Sequence, residues 1–435
     1  MVNLINKKKL VFYSFLTTGH LNVCSAIGSA LLNNYSNEIE VYFIADKTWA
    51  EKLTKIDSRF KIGLIELSQK EDRGQDIAKD TEKCLTLSLI ESIKLVFEKF
   101  FISDAERLYE IDKKSGEQIK IINPDFILCD QVVHLPAMLE HNIPHGFIIS
   151  TNPSGLKIDG FPYFGSDAGL DEKDKIKKFN DEFSSFEKKF IKFLNDLFER
   201  RNVKIPENLR INLPRSDNLS IYCYPKELDY YNDEIKNEFN LIQVDSPVVS
   251  SRIPLPYQLP EEFLNLPGKI IYVSLGTLFS CFESKIQKLI DTLANLPYKY
   301  IVSKGPNGDK IKFPNNRFIG ENYINQLAVL QVVDMMIAHG GNNTFTECFY
   351  FAVPSIILPV MGDQINNAKR IEETGFGYQL NLMNYTEKDL KEKIESLLND
   401  DALRTKYKNI SQRIKSENSL DLAASKLMNF INELS

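Results

Sequence analysis

The sequence contains 435 residues, of which 43% are hydrophobic, enough for about two to three domains with cores of their own. Its 53 basic and 59 acidic residues give a net charge of −6, which argues against a nucleic-acid partner because such a partner favours a clustered basic face. No run reaches the roughly 20 apolar positions of a membrane-spanning helix, so we expect no membrane partner.

The N-terminus offers only a short apolar stretch, residues 10–16, followed at once by Thr17, Thr18 and Gly19. A secretory signal peptide needs a longer apolar segment and a small-residue cleavage site. The six cysteines are scattered without metal-ligand spacing, and most lie in apolar runs, which is typical of reduced core residues. We therefore expect a cytoplasmic protein, and we expect it to act as a monomer.

Short β-branched and aromatic runs alternate with helical patterns along most of the chain. They predict strands at residues 10–15, 41–44, 126–129, 147–149, 270–275, 300–303, 334–338 and 355–358. Near-continuous apolar strands separated by helices are typical of parallel sheets covered on both faces. The expected fold class is therefore α/β, with two doubly wound, Rossmann-like domains that face each other across a cleft.

The first predicted strand is followed by His20, and a helix is predicted from about residue 21 to 32. An imidazole at the carboxyl edge of a strand can take a proton from a hydroxyl group at neutral pH. A base of this kind needs an orienting carboxylate, and Asp130 ends a later strand on the same edge. The residues alone leave two alternatives open: a structural role for His20 at the helix start, and a helix-capping role for Asp130 near Val132.

Residues 171–201 are strongly charged, yet aromatic and aliphatic side chains recur at steps of three and four from Phe179 to Leu197. This spacing predicts an amphipathic helix. We expect its aromatic stripe to pack on the first domain; the alternative is a wall of an apolar substrate pocket.

Five prolines, at positions 247, 254, 256, 260 and 267, separate the two halves. So many prolines do not fit the interior of a sheet and suit an extended, semi-rigid linker. We therefore expect domains at residues 1–245 and 269–410, joined by a linker at 246–268. The apolar stripe of the last 25 residues predicts a helix over 411–435 that packs back on the first domain.

An anion-binding turn is predicted after residues 334–338, where Gly340 and Gly341 permit a tight turn before a helix. Asn342 or Asn343 can serve as the helix N-cap. The exposed backbone N–H groups and the positive end of the helix then form an anion site.

Side chains around this turn suit a nucleoside diphosphate. His339, Asn343 and Thr344 add hydrogen-bond donors for the phosphates, and Glu347, one turn further on, can accept two hydrogen bonds from a vicinal diol such as a ribose. A third strand end carries Gly276 and Thr277, which permit a close backbone approach and a further hydroxyl contact to phosphate.

The strand after this helix ends at Pro359 and is followed by Asp363 and Gln364. Ligands of parallel α/β sheets bind beyond the carboxyl ends of the strands, so both side chains are expected in the same crevice as His339. An acid beside an amide is suited to the hydroxyl groups of a neutral sugar, whereas a helix cap with an exposed glutamine is the structural alternative.

With these motifs the sequence resembles the family 1 UDP-glycosyltransferases, which include plant, animal detoxifying and bacterial macrolide enzymes. Their donor motif runs His-x-Gly-x-Asn-Ser/Thr-x-x-Glu, then Gly-Val-Pro, then Pro-x-x-x-Asp-Gln. The matching residues are His339, Gly341, Asn343, Thr344, Glu347, Val353, Pro354, Pro359, Asp363 and Gln364.

The resemblance implies a GT-B fold in which the first domain binds the acceptor and the second binds the UDP-sugar. It implies that His339, Asn343 and Thr344 hold the diphosphate, Glu347 the ribose, and Asp363 with Gln364 the sugar. It further implies that Gln326 lies near the uracil, that Tyr323 replaces the tryptophan on which plant enzymes stack the uracil, and that Asn342 replaces a tryptophan near the sugar.

The resemblance also implies that His20, oriented by Asp130, is the general base of an inverting transfer of a hexose, by default glucose. The chain contains no Asp-x-Asp tripeptide, so we expect the leaving UDP to be stabilised without a metal or another cofactor. The aromatic content favours a small lipophilic acceptor, as in detoxification. The alternatives are a UDP-sugar epimerase and a non-catalytic nucleotide-sugar-binding protein of the same fold.

Overall fold

The computed structural model describes residues 7–67, 82–206, 218–276 and 282–434, which form two α/β domains. The first sheet consists of seven parallel strands: Lys8–Ser14 (β1), Ile39–Ala45 (β2), Lys61–Leu64 (β3), Phe126–Asp130 (β4), His145–Ile149 (β5), Ser220–Cys223 (β6) and Leu241–Val244 (β7). Their order is β3-β2-β1-β4-β5-β6-β7. The strand order therefore reverses between β1 and β4, and ligands of such sheets bind beyond the strands at this point.

The helices of the first domain cover both faces of this sheet. They are Thr18–Tyr35 (α1), Lys47–Ile56 (α2), Leu89–Phe97 (α3), Ala105–Ile122 (α4), Lys173–Arg201 (α5) and Asp233–Glu238 (α6), and the π-helix Glu98–Ile102 follows α3. The predicted amphipathic helix is confirmed as α5. Its aromatic side chains are buried in the core of the first domain, where Phe190 packs edge-on against Phe97 and Phe101.

The second sheet has six parallel strands: Ile270–Ser274 (β8), Lys299–Ser303 (β9), Phe318–Glu321 (β10), Met335–Ala338 (β11), Ser355–Ile357 (β12) and Gly377–Gln379 (β13). Their order is β10-β9-β8-β11-β12-β13, with the reversal between β8 and β11. The helices are Glu261–Leu264 (α7), Glu283–Leu293 (α8), Gln326–Val329 (α9), Asn342–Phe351 (α10), Asp363–Glu373 (α11), Glu387–Asn399 (α12), Asp401–Glu417 (α13) and Ser419–Glu433 (α14).

The expected fold class, two doubly wound Rossmann-like domains, is confirmed by these two sheets. All eight predicted strands are present. The sequence pattern did not reveal β3, β6, β7, β10 and β13, each of which is three or four residues long. Such short runs carry too little apolar periodicity to be distinguished from loops.

The chain's end consists of two helices rather than the single helix expected over 411–435. Helix α13 continues through residue 410 and packs against α10 in the second domain, whereas α14 packs against α1 and β7 in the first. The side chain of Leu427 in α14 is fully buried, and the rings of Phe430 and Phe126 lie 5.7 Å apart. Among the residues that the structure describes, no helix combines the length and the apolar character needed to cross a membrane.

Two leucines of α14 test whether this helix stabilises the first domain. Leu427 is 0% exposed and Leu422 is 57% exposed. We expect Leu427→Ala to lower the free energy of unfolding by about 2–5 kcal/mol, because it leaves a cavity in a packed core. Leu422→Ala on the same helix should change it by less than about 0.5 kcal/mol. Denaturant unfolding of both variants measures the difference, and equal shifts would contradict the packing of α14 on the first domain.

Candidate donor and acid–base site

The predicted anion-binding turn joins β11 to α10, but the helix begins differently from the expectation. Gly341 is the N-cap, and no described side chain caps the helix, so the prediction of an N-cap at Asn342 or Asn343 is wrong. Both asparagines lie in the first turn of α10 and contact the other domain. The Asn342 side chain donates to the carbonyls of Ser150 (3.2 Å) and Cys223 (2.9 Å).

Helices α10 and α1 meet at their N-terminal ends, because the Asn343 amide donates to the carbonyl of Gly19 at 2.9 Å. Each N-terminus carries unsatisfied N–H groups and a partial positive charge. The two ends together form a region of positive potential between the domains, which suits a diphosphate.

The His339 ring lies between two glycines. A Cβ on Gly276 would lie 2.5 Å from His339 Cε1, and a Cβ on Gly341 would lie 2.6 Å from its Nε2. Gly276 also has a φ of +74°, a conformation that favours glycine. Burial lowers the pKa of His339 to about 4, so the ring is neutral at physiological pH and offers one N–H donor. Thr277, the companion of Gly276 in the prediction, lies outside the described residues.

The residues expected around the nucleoside form one hydrogen-bonded group. The Gln326 amide donates to Thr344 Oγ1 at 3.0 Å and to Glu347 Oε2 at 2.5 Å. Burial raises the pKa of Glu347 to about 7, although the Gln326 hydrogen bond opposes this effect. Tyr323, three residues before Gln326, is 67% exposed.

Asp363 and Gln364 begin α11, after Gly362 with a φ of +58°. The Gln364 side chain is buried, and its Oε1 accepts from the backbone N–H of Val360 at 3.0 Å, so it is not the exposed glutamine of a simple cap. Burial raises the pKa of Asp363 to about 6, whereas the backbone N–H of Asn342 and the charge of His20 lower it. Asp363 therefore lies between the first domain and the turn His339–Gly341 that joins β11 to α10, which we call the donor turn.

His20 and Asp130 are in direct contact. Helix α1 begins at Thr18, earlier than expected, so His20 lies in its first turn. The Nδ1 atom of His20 lies 3.0 Å from Oδ1 of Asp130, whose side chain is fully buried. Residues 131–135 are non-helical, so Asp130 does not cap a helix there. Burial lowers the pKa of His20, but the Asp130 carboxylate outweighs this effect and raises the pKa above its ordinary value of 6.5.

Two adjacent asparagines of α11 were missed by the sequence reasoning. Asn367 accepts from the Asn152 amide at 2.7 Å and donates to the carbonyl of Gly340 at 2.8 Å. Asn366 donates to the carbonyl of Tyr163 at 3.1 Å. These contacts tie α11 and the donor turn to the first domain. The sequence gives no signal for them, because both partners in the first domain lie in loops without a motif.

Ser150 was also missed. It follows β5 directly, and its Oγ lies 2.8 Å from His20 Nδ1 and 3.1 Å from Asp130 Oδ1. Its position at the carboxyl end of a strand next to β4 is the signal that would have identified it. Within the described ranges, no group of three or more His, Cys, Asp or Glu side chains has the arrangement of a metal site.

Comparison with known proteins agrees with this geometry. Residues 239–423, which include β8 to α13 and the donor turn, match the family described as UDP-glucoronosyl and UDP-glucosyl transferase. The match covers less than half of the chain and includes the whole donor motif from His339 to Gln364. The resemblance noted from the sequence motifs is therefore confirmed.

The curated relatives that this chain matches are distant. The uncharacterized UDP-glucosyltransferase YdhE of Bacillus subtilis is 28% identical over 213 residues, which cover 48% of this chain and 52% of the relative. Human UDP-glucuronosyltransferase 1A9 is 29% identical over 184 residues, 39% of this chain and 33% of the relative. The chain thus spans about half the length, or less, of the curated relatives it matches.

Solved structures match over nearly the whole chain and show the same fold. The kitacinnamycin glycotransferase superposes with a TM-score of 0.70 at 16% identity, covering 98% of this chain and 100% of that one. Medicago truncatula UGT71G1, complexed with UDP-glucose, has a TM-score of 0.67 at 15% identity, covering 99% and 100%. The roles of individual residues in this chain therefore rest on its own geometry.

Gly276 provides a test of the His339 contact, with Gly375 as a matched control. The two glycines have φ values of +74° and +72°, but a Cβ on Gly375 meets no atom of the described chain within 4 Å. Alanine at either position should cost about 1–2 kcal/mol of stability for the left-handed backbone. We expect only Gly276→Ala to weaken UDP binding, by at least about tenfold, because its methyl group displaces His339.

Calorimetric titration with UDP measures this difference. Equal UDP affinities of the two folded variants would contradict a role for the Gly276–His339 contact in binding.

Proposed function

We propose that this protein is an inverting glycosyltransferase that moves a hexose, by default glucose, from a UDP-sugar to a hydroxyl group of a small lipophilic acceptor. The observation that carries the proposal is the placement of the His20–Asp130 pair opposite the donor turn. His20 and Asp363 are close enough to shift each other's pKa, although they belong to different domains. A base thus lies next to the residues suited to hold the transferred sugar.

The donor turn is suited to stabilise a leaving diphosphate. The first N–H groups of α10, the Thr344 hydroxyl and the neutral His339 ring are preorganised donors around one point. Preorganised dipoles of this kind stabilise charge that develops in a transition state. We propose that they do so without a metal ion, and that Gln326 and Glu347 hold the uridine.

Asp363 and the amide of Gln364 are proposed to hold the hydroxyl groups of the sugar. At neutral pH most of the Asp363 population is ionised, since its pKa is about 6. A carboxylate accepts hydrogen bonds from a neutral hexose but repels a second carboxylate. UDP-glucuronate is therefore the least suitable donor, and UDP-glucose is the expected one.

The proposed reaction is a single displacement. His20 Nε2 takes the proton of the acceptor hydroxyl while the acceptor oxygen bonds to the anomeric carbon. The bond from that carbon to the diphosphate breaks, and UDP leaves with its electron pair. Asp130 stabilises the imidazolium that forms, as a buried carboxylate does for a catalytic histidine. One displacement on an α-linked donor produces a β-glycoside.

The aromatic ring next to the proposed base supports a lipophilic acceptor. The ring of Phe15 packs edge-on against His20 with centroids 5.5 Å apart, and Phe101 lies 6.3 Å from Phe15. Phe101 and the α5 residue Phe190, 5.8 Å apart, belong to the buried core behind Phe15. Aromatic side chains favour apolar and aromatic ligands through area burial and edge-to-face packing. A phenol-like acceptor would place its hydroxyl next to His20.

We place this reaction in the cytoplasm, because the five described cysteines are all buried, as expected of core thiols in a reducing compartment. A role in detoxification and a monomeric state stay predictions. Light scattering of the purified protein would test the monomer.

UDP release with a phenolic acceptor tests the proposal directly. We expect turnover with UDP-glucose, and His20→Ala should reduce kcat by roughly 10²- to 10⁴-fold because the general base is lost. Unchanged turnover in His20→Ala would contradict the base assignment. Absence of UDP release in an acceptor screen, despite UDP-glucose binding, would instead favour the non-catalytic binding protein.

The pH dependence of kcat/KM tests the role of Asp130. A base works only when unprotonated, so the rate should rise with pH through a pKa above 6.5, in line with the raised pKa of His20. In Asp130→Asn this rise should move to lower pH, because the carboxylate that raises the pKa of His20 is absent, while the maximal rate falls. A rise at the same pH in both proteins would contradict the pairing.

Glu347 should make donor binding depend on pH. Its pKa is about 7, and the ionised carboxylate is the form that accepts both hydrogen bonds from the ribose. UDP-glucose affinity should therefore fall by roughly tenfold between about pH 8 and about pH 6, as the carboxylate is protonated. The diphosphate of UDP-glucose carries no terminal phosphate that titrates in this range. Glu347→Gln should lose most of this pH dependence and keep only the smaller contribution of Asp363, whose pKa is about 6. An equal dependence of affinity on pH in both proteins would contradict the assignment to Glu347.

A further inference from the structure

Ser150 forms a triangle with His20 and Asp130. Its Oγ lies 2.8 Å from His20 Nδ1 and 3.1 Å from Asp130 Oδ1, and those two atoms lie 3.0 Å from each other. Ser150 is 5% exposed and Asp130 is 0% exposed, so water does not replace these contacts readily. The other carboxylate oxygen of Asp130, Oδ2, contacts Cys24 Sγ at 3.5 Å, which leaves Oδ1 to Ser150 and His20.

The hydrogen atoms of the triangle have one consistent arrangement. A serine hydroxyl has a single hydrogen, and an ionised carboxylate only accepts hydrogen bonds. If the Ser150 hydroxyl donates to Asp130, a lone pair of Ser150 Oγ faces His20 Nδ1. Nδ1 then carries a proton, which both Ser150 Oγ and Asp130 Oδ1 accept. If Ser150 donates to Nδ1 instead, the Nδ1 lone pair and the Ser150 oxygen both face Oδ1 without a hydrogen between them, which is repulsive at these distances.

The consistent arrangement places the neutral ring's only proton on Nδ1. The other ring nitrogen, Nε2, then has a free lone pair and can accept a proton. Neutral histidine in water populates both tautomers. In a protein, the hydrogen bond made by one ring nitrogen decides whether the other nitrogen is protonated. A second acceptor at Nδ1 therefore biases His20 toward the form that works as a base.

We propose that Ser150 is a positioning residue that, together with Asp130, holds His20 in the tautomer with Nε2 free to take the acceptor proton. This inference rests on the proposed function and assigns Ser150 a role within the same site. Ser150 acts through His20 and Asp130 and does not itself react.

The donor domain holds Ser150 in place from the other side. Asn342, in the first turn of α10, donates its amide to the backbone carbonyl of Ser150 at 3.2 Å. The same amide donates to the carbonyl of Cys223, the last residue of the neighbouring strand β6, at 2.9 Å. Contact between the domains therefore fixes the backbone from which the Ser150 hydroxyl reaches His20.

Three variants separate positioning from packing. Ser150→Ala removes the hydroxyl, and Ser150→Thr retains it. Ser154→Ala is the matched control, because Ser154 is 1% exposed, lies on the same segment, and its hydroxyl has no hydrogen-bond partner in the described part of the chain. NMR of the histidine ring nitrogens, with the pH raised until the His20 signals stop shifting and the ring is neutral, reports the tautomer of His20 without any substrate. The His20→Ala spectrum identifies its signals among the five histidines.

In wild type, Ser150→Thr and Ser154→Ala we expect the proton of neutral His20 on Nδ1. In Ser150→Ala a share of the molecules should carry it on Nε2, and kcat should fall by about tenfold with an unchanged KM for UDP-glucose, because the base is misoriented while the donor site is intact.

An unchanged His20 spectrum in Ser150→Ala would overturn the proposal, whatever happens to turnover. So would a tautomer change of the same size in Ser154→Ala, which would indicate a packing effect. A tautomer change confined to Ser150→Ala supports the positioning role even if the wild-type protein transfers no sugar, and that last result would count against the proposed function alone.

Discussion

The hydrogen bond between Asn152 and Asn367 is the constraint on which the site depends. Both side chains are 0% exposed, and their amides meet at 2.7 Å between the two domains. A buried amide without a partner costs about 1–3 kcal/mol, so the domains are held at the separation that satisfies both groups. Asn367 also binds the carbonyl of Gly340 in the donor turn. This network sets the distance between the donor turn and His20. Each domain contributes only half of the site, so the site forms only when the two halves are held at that distance.

Burial then determines the charge of each group in the cleft. It keeps His339 neutral beside the expected diphosphate and raises the pKa of Glu347 and Asp363 toward neutrality. His20 is the exception, because the Asp130 carboxylate outweighs the effect of burial and raises its pKa. Groups with shifted pKa values cluster at functional sites, where charge is arranged for binding and proton transfer. The histidine with the lowered pKa lies in the second domain and the one with the raised pKa in the first, which agrees with the roles proposed for them in donor binding and proton transfer.

The two domains contribute different kinds of information. The family match, residues 239–423, covers the linker and most of the second domain, where a continuous motif surrounds the nucleotide site. In the first domain, the proposed base His20 lies beside the ring of Phe15. The side chains around His20 come from segments far apart in sequence, such as those of Asp130 and Ser150. These side chains therefore form no local sequence motif, and the proposed acceptor class is argued from the aromatic ring beside His20.

The sequence by itself determined the fold class, the donor turn and the strand ends that carry His20 and Asp130, because local periodicity and the edge rule for parallel sheets depend on neighbouring residues. It did not determine the cap of α10, since the choice of Gly341 over Asn342 follows from the contact of Asn342 with Ser150 and Cys223. Only the tertiary structure revealed Ser150 beside His20, 130 positions away along the chain. The contact depends on β5 lying next to β4, and this strand order is set by how the sheet assembles and not by neighbouring residues in the chain.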